Sequence, residues 1–154
     1  MIKKFKNLIV DVDGVMTDGK MHYTADGKIM KVFGPDDHDA LKMIKDIINI
    51  HFISADKKGY DITQKRIVED MNFALDLVSS EKRLDWIKDK YGLQESIYIC
   101  DSFVDIEIVK EIGFSISPND ADKRLKNHVD LILENDGGNR AVSEACHYIK
   151  QNLT

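Results

Sequence analysis

The sequence predicts a doubly wound, Rossmann-like α/β fold, in which helices cover both faces of a mostly parallel sheet. Short apolar, partly β-branched runs of strand length recur along the chain at Leu8–Val12, Ile50–Ser54, Ala74–Val78, Ile97–Cys100, Phe114–Ser117 and Leu131–Leu133. Helical patterns lie between these runs. Parallel neighbours need crossover connections, which are usually helical, so this alternation indicates a parallel sheet between two helical layers.

Three apolar stripes with helical spacing indicate the covering helices. The first contains Ala40, Leu41, Ile44, Ile47 and Ile48. The second contains Leu84, Ile87 and Tyr91. The third contains Ala141, Val142, Ala145, Cys146 and Ile149.

One segment departs from the alternation of strands and helices. The strand-like pieces Met21–Tyr23 and Ile29–Phe33 flank Asp26-Gly27, which is a common hairpin turn signal. We therefore expect a small β-hairpin insertion, and we find no further length for a cap domain.

Length and charge limit the classes of function. The chain has 154 residues, 43% of them hydrophobic, and a formal net charge of -5. This length predicts a single domain spanning residues 1–154. Because Lys and Arg are scattered in an acidic chain, neither nucleic acid nor an anionic membrane is expected as a partner.

The cellular compartment is also predicted from simple patterns. Cys100 and Cys146 lie far apart without metal-type spacing, which favours a reducing environment. No apolar run approaches a membrane span, and no signal-length segment follows the lysines at the start of the chain. We expect a soluble, cytoplasmic protein.

Two carboxylates stand at the end of the first predicted strand. Asp11 and Asp13 follow Leu8-Ile9-Val10, and Gly14 then lets the chain turn sharply away. In open α/β sheets, ligands bind at the carboxyl ends of the strands. Two carboxylates buried beside an apolar strand need compensation, and a hard divalent cation would provide it.

Two other interpretations of this motif are open. An EF-hand loop would need further acidic ligands and a final Glu, whereas Val15 and Met16 follow here. A turn or helix cap at Asp13-Gly14 is common in general. The choice depends on residues further along the chain.

Residues suited to phosphate chemistry follow later predicted strands. Ser54 offers a hydroxyl, Lys82 a point charge at a helix start, and Asp101 a further metal ligand. Asp105 lies one helical turn later, where it could orient these groups. Taken singly, each is more often a turn, solvated or capping residue. Their joint occurrence at strand ends favours a site.

With these residues the chain resembles a known family. The run from Asp11 to Gly19 resembles the first signature of the haloacid dehalogenase superfamily in its capless, tetrameric branch. This branch includes 3-deoxy-D-manno-octulosonate 8-phosphate phosphatases, nonulosonate 9-phosphate phosphatases and the C-terminal domain of animal CMP-sialic acid synthetases. The resemblance extends over nearly the whole chain, through Lys31-Val32-Phe33, Asp37, Lys82, Asp101 with Asp105, and Gly137-Gly138-Asn139-Arg140-Ala141-Val142.

The resemblance implies a haloacid dehalogenase fold and specific roles. Asp11 would be the nucleophile that forms an aspartyl-phosphate, and Asp13 would be the general acid and base, with its backbone carbonyl on Mg²⁺. Asp101 would be a further Mg²⁺ ligand. Ser54 and Lys82 would hold the phosphoryl oxygens. The resemblance places five more residues near the substrate or behind the metal ligands: Asp37, Asp56, Asp105, Asn139 and Arg140.

Assembly is implied in the same way. Members of the branch form homotetramers through their hairpins, and their C-terminal tails reach a neighbouring active site. A separate physical argument agrees, because without a lid domain the open strand edge would stay wet unless another subunit covered it.

Three positions depart from the usual signatures of the family. Ser54-Ala55-Asp56 stands where Thr/Ser-Gly-Arg or Thr-Gly-Glu is usual, and an acid at position 56 favours substrate hydroxyl donors and so a nine-carbon sugar acid. Cys100-Asp101-Ser102 replaces Gly-Asp-Asp. Asn139-Arg140 replaces Arg-Gly or Glu-Gly in the tail. These changes predict altered specificity or weakened turnover.

Three functions are compatible with these observations. The first is a magnesium-dependent phosphatase acting on a small sugar-acid phosphate in cell-surface glycan biosynthesis, such as lipopolysaccharide biosynthesis. The second is a catalytically weak or inactive assembly module resembling the synthetase domain. The third is a phospho-accepting receiver, which would place its acceptor Asp at the third strand's end, where Val78-Ser79-Ser80 stands.

Overall fold

The structure, a computed structural model, describes residues 5–153. Residues 1–4, with Lys3 and Lys4 from the start of the chain, and residue 154 lie outside this part. The strands are β1 Asn7–Asp11, β2 His22–Thr24, β3 Gly27–Met30, β4 Asn49–Ser54, β5 Ala74–Leu77, β6 Ser96–Ile99, β7 Phe114–Ser117 and β8 Leu131–Ile132. The helices are α1 Asp37–Ile44, α2 Tyr60–Gln64, α3 Arg83–Tyr91, α4 Ile106–Glu111, α5 Lys123–Lys126 and α6 Ala141–Asn152.

The main sheet has six strands in the order β5-β4-β1-β6-β7-β8, and every pairing is parallel. The strand β1 lies inside the sheet, where Val10 is in register with Phe52 on one side and Ile99 on the other. All five residues of β1 are buried, as a strand covered on both faces requires. The predicted doubly wound α/β fold is confirmed.

Two apolar layers enclose the sheet. On one face, Leu8 and Val10 pack in a cluster with residues of α1 and α6. On the other face, Ile9 and Tyr98 pack with residues of α3, α4 and α5. The alternating side chains of β1 therefore serve both layers.

The predicted helical stripes agree with the structure except at one end. All five residues of the third stripe are buried in α6. The first stripe is too long, because α1 ends at Ile44 and Ile47 is 40% exposed. The Ile47 N–H donates to the Ile44 carbonyl in a tight turn that leads into β4. Ile48 is buried, so only Ile47 leaves the core.

The hairpin insertion is present, with a small shift in its turn. Thr24 pairs with Gly27, so Ala25 and Asp26 form the turn and Gly27 begins the second strand. Gly27 has a φ of 113°, which glycine adopts without strain. No described helix is long and apolar enough to cross a bilayer.

Candidate active site

A cavity of about 430 Å³ opens at the carboxyl edge of the sheet. Its walls include Asp11, Asp13, Asp56, Arg83 and Asp101. The parallel register brings these strand ends together, since β4 and β6 flank β1. The structure therefore brings together the carboxylates that the sequence analysis selected.

A sharp turn after β1 shapes the floor of the cavity. Gly14 has a φ of 85°, and its N–H donates to the Thr17 hydroxyl at 3.1 Å. A Cβ atom at Gly14 would overlap the Asp101 carboxylate. Glycine at this position thus allows Asp101 to lie directly against the backbone that follows Asp11.

Asp11 is bound at both of its carboxylate oxygens by one arginine. The Arg83 Nη1 atom donates to Asp11 Oδ2 at 2.9 Å, and Nη2 donates to Oδ1 at 3.3 Å. Asp11 is only 4% exposed. Such a two-point contact fixes the orientation of a carboxylate.

Arg83 joins Asp11 to groups behind it. Its Nη1 atom also lies 3.0 Å from the Tyr98 hydroxyl and 3.3 Å from the Asp105 carboxylate, both buried. Burial lowers the pKa of Arg83, but Tyr98, Asp11 and Asp105 together raise it above its usual value. The arginine therefore remains a cation in the interior. The sequence analysis placed Asp105 where it could orient Lys82, whereas in the structure its partner is Arg83.

Lys82 lies elsewhere, and here the structure differs from the sequence analysis. Its side chain lines a neighbouring cavity with Val78, Ser79 and Trp86. The two basic residues are adjacent in a continuous helical stretch, since Lys82 ends a short helical turn, Ser80–Lys82, and Arg83 begins α3. Successive helical residues project about 100° apart, so only one of the two can face Asp11. The sequence analysis missed Arg83 because both residues are basic and adjacent.

Asp13 is held by two side chains from other elements. Lys31 Nζ donates to Asp13 Oδ1 at 2.7 Å, and the Ser54 hydroxyl donates to Oδ2 at 2.7 Å. Ser54 is fully buried at the end of β4, and its oxygen accepts the Asp56 N–H at 3.1 Å. The predicted residues Asp13 and Ser54 are therefore in direct contact.

Asp56 lines the cavity, and both of its carboxylate oxygens are already engaged by groups of this chain. The expectation that it receives substrate hydroxyls stays a prediction. Its Oδ2 atom is paired with Lys28 and with Lys31, the latter at 2.9 Å. Its Oδ1 atom accepts the Gly59 N–H at 3.1 Å. Burial raises the pKa of Asp56, but the hydrogen bonds from Lys28 and Lys31 outweigh this effect and lower the pKa to about 2.

Two buried carboxylates give the site a strong affinity for protons. Burial, with the nearby Asp105 and Asp101 charges, raises the pKa of Asp11 to about 8 despite Arg83. Burial and the charge of Asp105 raise the pKa of Asp101 to about 7. A hard cation between these oxygens would favour their charged forms, so this pair fits a divalent metal.

The metal ligands would not all be side chains. Within residues 5–153, no three acidic, His or Cys side chains converge as a ready cluster. The Asp13 carboxylate turns instead toward Lys31 and Ser54. A site made of the Asp11 and Asp101 carboxylates and a backbone carbonyl agrees with this arrangement.

Cys100 and Ser102 flank Asp101 without blocking the cavity. Cys100 is fully buried and packs in the core with Ile9 and Tyr98. Ser102 accepts the Val104 N–H at 3.4 Å and begins the turn before α4. The Cys100 side chain therefore points into the apolar layer rather than into the site.

Three predicted residues lie away from the cavity. Asp37 is buried at the start of α1 and accepts the Ser143 N–H at 2.8 Å. Arg140 is exposed and pairs with Asp36 at 2.6 Å. Asn139 is also exposed, in the turn before α6. Within residues 5–153, none of the three has a hydrogen bond or ion pair with Asp11 or Asp13.

The turn before α6 nevertheless touches the site through its backbone. A Cβ atom at Gly137 would overlap the Gly14 carbonyl, and one at Gly138 would lie 2.6 Å from the Thr17 carbonyl carbon. The Gly138 N–H donates to the Val15 carbonyl at 3.0 Å. The two glycines thus brace the turn that carries Asp13 and Gly14.

Comparison with known proteins agrees with this geometry, although no protein-family model matches the chain. The chain is 32% identical over 156 residues to the 3-deoxy-D-manno-octulosonate 8-phosphate phosphatase KdsC of Haemophilus influenzae, covering 97% of this chain and 85% of that protein. It is 26% identical to KdsC of Escherichia coli strain K12, covering 90% of this chain and 76% of that protein.

Solved structures show the same fold. The cobalt-bound deoxy-D-mannose-octulosonate 8-phosphate phosphatase (YrbI) of Haemophilus influenzae superposes with a TM-score of 0.85 at 32% identity, covering 99% of this chain and 91% of that chain. The Moraxella catarrhalis phosphatase, in complex with magnesium, phosphate and KDO, superposes with a TM-score of 0.82 at 26% identity, covering 98% and 88%. Two of these relatives thus hold a divalent ion on the fold described above.

Proposed function

We propose that the chain, which belongs to the 3-deoxy-D-manno-octulosonate 8-phosphate phosphatase family of the haloacid dehalogenase superfamily, hydrolyses a sugar-acid phosphate through an aspartyl-phosphate on Asp11. Members of this phosphatase family are phosphoric monoester hydrolases. The observation that carries this proposal is the contact of Arg83 with both oxygens of Asp11 beside Asp101. It joins a potential nucleophile, a fixed cation and a metal ligand in one cavity.

The first half of the reaction transfers the phosphoryl group to the enzyme. An oxygen of Asp11 attacks phosphorus, and the bond between phosphorus and the sugar oxygen breaks. Asp13, in its protonated form, gives its proton to the departing sugar oxygen and becomes a carboxylate. Arg83 faces the reacting carboxylate, where it can hold the phosphoryl oxygens as charge redistributes.

The second half regenerates the enzyme. The Asp13 carboxylate takes a proton from a water molecule, which attacks the phosphorus of the aspartyl-phosphate. The bond from phosphorus to Asp11 breaks, inorganic phosphate leaves, and Asp13 is again protonated. Ser54 lies against Asp13 and can donate its hydroxyl to a phosphoryl oxygen when phosphate arrives.

We propose Mg²⁺ as the cofactor, held by the carboxylates of Asp11 and Asp101 and by the Asp13 backbone carbonyl. When bound, the ion neutralises phosphoryl charge and orients the phosphate for in-line attack. The buried pair Asp11 and Asp101 supports this, because a bound cation would lower their raised pKa values and favour both charged forms. The magnesium in the Moraxella catarrhalis relative supports the same choice.

Among sugar acids, 3-deoxy-D-manno-octulosonate 8-phosphate is the first candidate substrate. The relatives compared above carry that substrate in their names. The argument for a nine-carbon substrate rested on an acid at position 56 that accepts substrate hydroxyls, and Asp56 already accepts Lys28 and Lys31. Nonulosonate 9-phosphates are the second candidates, since Asp56 still replaces the arginine usual in octulosonate enzymes.

We also propose that the protein acts as a homotetramer. The hairpin exposes large apolar side chains: Met21, Tyr23, Ile29 and Met30. Met21, 57% exposed, also lines the active-site cavity. An apolar hairpin at an open cavity suits contact with another subunit that would exclude water from the reaction.

The test is a phosphate-release screen with Mg²⁺ over octulosonate 8-phosphate and several nonulosonate 9-phosphates. We expect metal-dependent release that is abolished in Asp11→Asn, with oligomeric state checked by light scattering. No release from any sugar-acid phosphate by metal-loaded, assembled protein would favour the assembly-module hypothesis instead.

A further inference from the structure

The hairpin contacts Asp13 through the buried side chain of Lys31. Lys31 follows β3, and its side chain is 3% exposed, whereas the hairpin residues Ile29 and Met30 face outward. We infer that Lys31 is a positioning residue for Asp13, held in place by Asp56 and Thr63. This inference rests on the proposed function, in which Asp13 transfers protons to and from the substrate.

The contacts of Lys31 are complete. Its Nζ atom lies 2.7 Å from Asp13 Oδ1, 2.9 Å from Asp56 Oδ2 and 2.7 Å from Thr63 Oγ1. A lysine ammonium has three N–H donors, so each can have an acceptor. Thr63 is fully buried on α2 and in turn donates its hydroxyl to the Gly59 carbonyl at 3.3 Å. The ammonium is thus fixed from three directions.

Charge balance explains why a lysine can be buried here. Lys28 and Lys31 bring two positive charges from the hairpin. Asp56, after β4, brings one negative charge, and Asp13, after β1, brings a second whenever it is ionised. A buried ammonium without partners would be costly, but a neutral, hydrogen-bonded cluster is tolerated. Asp56 is therefore the counter-charge that keeps Lys31 beside Asp13.

A glycine provides the space for this cluster. A Cβ atom at Gly59 would overlap the Asp56 carboxylate, lie 2.8 Å from the Lys31 Cε atom and 2.9 Å from the Lys28 Cδ atom. The loop after β4 must therefore lack a side chain at this point for the two lysines to reach Asp56. This close packing indicates a built arrangement rather than a chance surface contact.

The arrangement matters because proton transfer is sensitive to distance. Lys31 holds one oxygen of Asp13 and Ser54 holds the other, so the carboxyl group has a defined orientation. A general acid must lie within hydrogen-bond reach of the leaving oxygen. Without Lys31, only Ser54 would hold the Asp13 carboxyl group, and a misplacement of about 1 Å can cost roughly 100-fold in rate.

Two methionine variants separate this role from a structural one. Lys31→Met and Lys28→Met each remove one ion pair with Asp56, but only Lys31 contacts Asp13. An alkyl phosphate needs protonation of its leaving oxygen, whereas p-nitrophenyl phosphate releases a stable phenolate. We expect kcat/KM of Lys31→Met to fall about 100-fold for the sugar-acid phosphate and less than about 10-fold for the aryl phosphate.

The control variants complete the design. Lys28→Met should lose less than about 5-fold on either substrate, and Lys31→Arg should recover part of the loss because it restores a donor to Asp13. Melting temperatures of all variants show whether each is folded. A crystal structure of Lys31→Met should show the Asp13 carboxyl group displaced, which does not depend on activity.

Equal losses in Lys28→Met and Lys31→Met, or an equal loss of Lys31→Met on alkyl and aryl phosphates, would overturn the inference. An undisplaced Asp13 in the crystal structure would do the same, even for a variant that loses activity. A wild-type protein that hydrolyses aryl phosphate but no sugar-acid phosphate would contradict the proposed function alone, and the Asp13 position would still decide the role of Lys31.

Discussion

The guanidinium of Arg83 faces the carboxylate of Asp11, with Nη1 2.9 Å from Oδ2 and Nη2 3.3 Å from Oδ1. These residues are separated by most of the first half of the chain, and the parallel sheet brings the start of α3 to the end of β1. The contact makes Arg83 a cation bound directly to the proposed nucleophile, and it leads to the first prediction.

Replacing Arg83 with Met should lower kcat by about 100-fold or more, because one fixed donor at a developing charge commonly contributes that much. Lys82→Met is the matched control, since Lys82 lies in the adjacent cavity and should lose far less. Steady-state phosphate release measures both variants. A larger loss in Lys82→Met than in Arg83→Met would restore the original assignment of Lys82.

Magnesium should stabilise the protein more strongly as pH rises. The pKa values of about 8 for Asp11 and about 7 for Asp101 mean that both carboxyls hold protons at mildly acidic pH without a cation. The ion must displace those protons, so its apparent affinity grows as pH rises through these values. At about 100 times its dissociation constant it adds about 2.7 kcal/mol of stability.

Thermal melts at several pH values, with and without Mg²⁺, measure this effect. Asp101→Asn should show a much smaller magnesium-dependent rise in Tm. A rise that is independent of pH, or unchanged in Asp101→Asn, would contradict the proposed ligand set.

Asp37 should make the protein less stable as pH rises, whereas an ordinary ion-paired acid makes a protein less stable as pH falls. Burial raises its pKa from 3.8 to about 6, and its Oδ2 atom has no hydrogen-bond partner within residues 5–153. A raised folded pKa means that the protonated form suits the fold. The stability contributed by protonated Asp37 is therefore fully present below the unfolded pKa and is lost as pH rises through about 6.

The variant Asp37→Asn keeps an acceptor for the Ser143 N–H but cannot ionise. As pH rises from roughly 4 to 7, the wild type should lose stability that the variant keeps. The difference in the free energy of unfolding between variant and wild type should therefore grow by about 1 to 3 kcal/mol over this range. Urea melts without divalent metal measure it. A difference that stays constant across this range would contradict the shift.

Gly14 should be intolerant of any side chain. Gly14→Ala would place a methyl group in the space of the Asp101 carboxylate at a φ of 85°, so we expect loss of both metal-dependent stabilisation and turnover. Gly27→Ala is a matched control, because Gly27 also has a positive φ but has nothing within 4 Å of a built Cβ. The control should lose stability only, by about 1 kcal/mol. Similar turnover in the two variants would argue against the close approach of Asp101.

The sequence predicted the fold and the carboxyl edge well for a physical reason. Apolar runs such as Ile97–Cys100 have few ways to be buried except in a sheet covered on both faces, and parallel strands then bring Asp11 and Asp101 to one edge. The observed ends of β1 and β6 differ from the predicted ends by one residue.

The contacts within the site were less predictable. Whether Lys82 or Arg83 faces Asp11 depends on the phase of the helical turn before α3, which periodicity does not determine. The partners of Asp56 come from a hairpin distant in sequence, and no spacing rule connects position 56 with Lys28 or Lys31. The family resemblance predicts a substrate contact at position 56, and the structure shows that Asp56 is paired with Lys28 and Lys31 of the same chain.

The turn at Gly137 and Gly138 packs against the loop after β1, which carries Asp13 and Gly14. The backbone at these positions packs against Gly14 and Thr17, more than a hundred residues earlier in the chain. During synthesis, β1 and its two carboxylates emerge long before this brace exists. Phosphatase activity should therefore arise only after the segment leading into α6 has docked, so that enzyme assays on nascent or refolding chains would report the completion of folding rather than its onset.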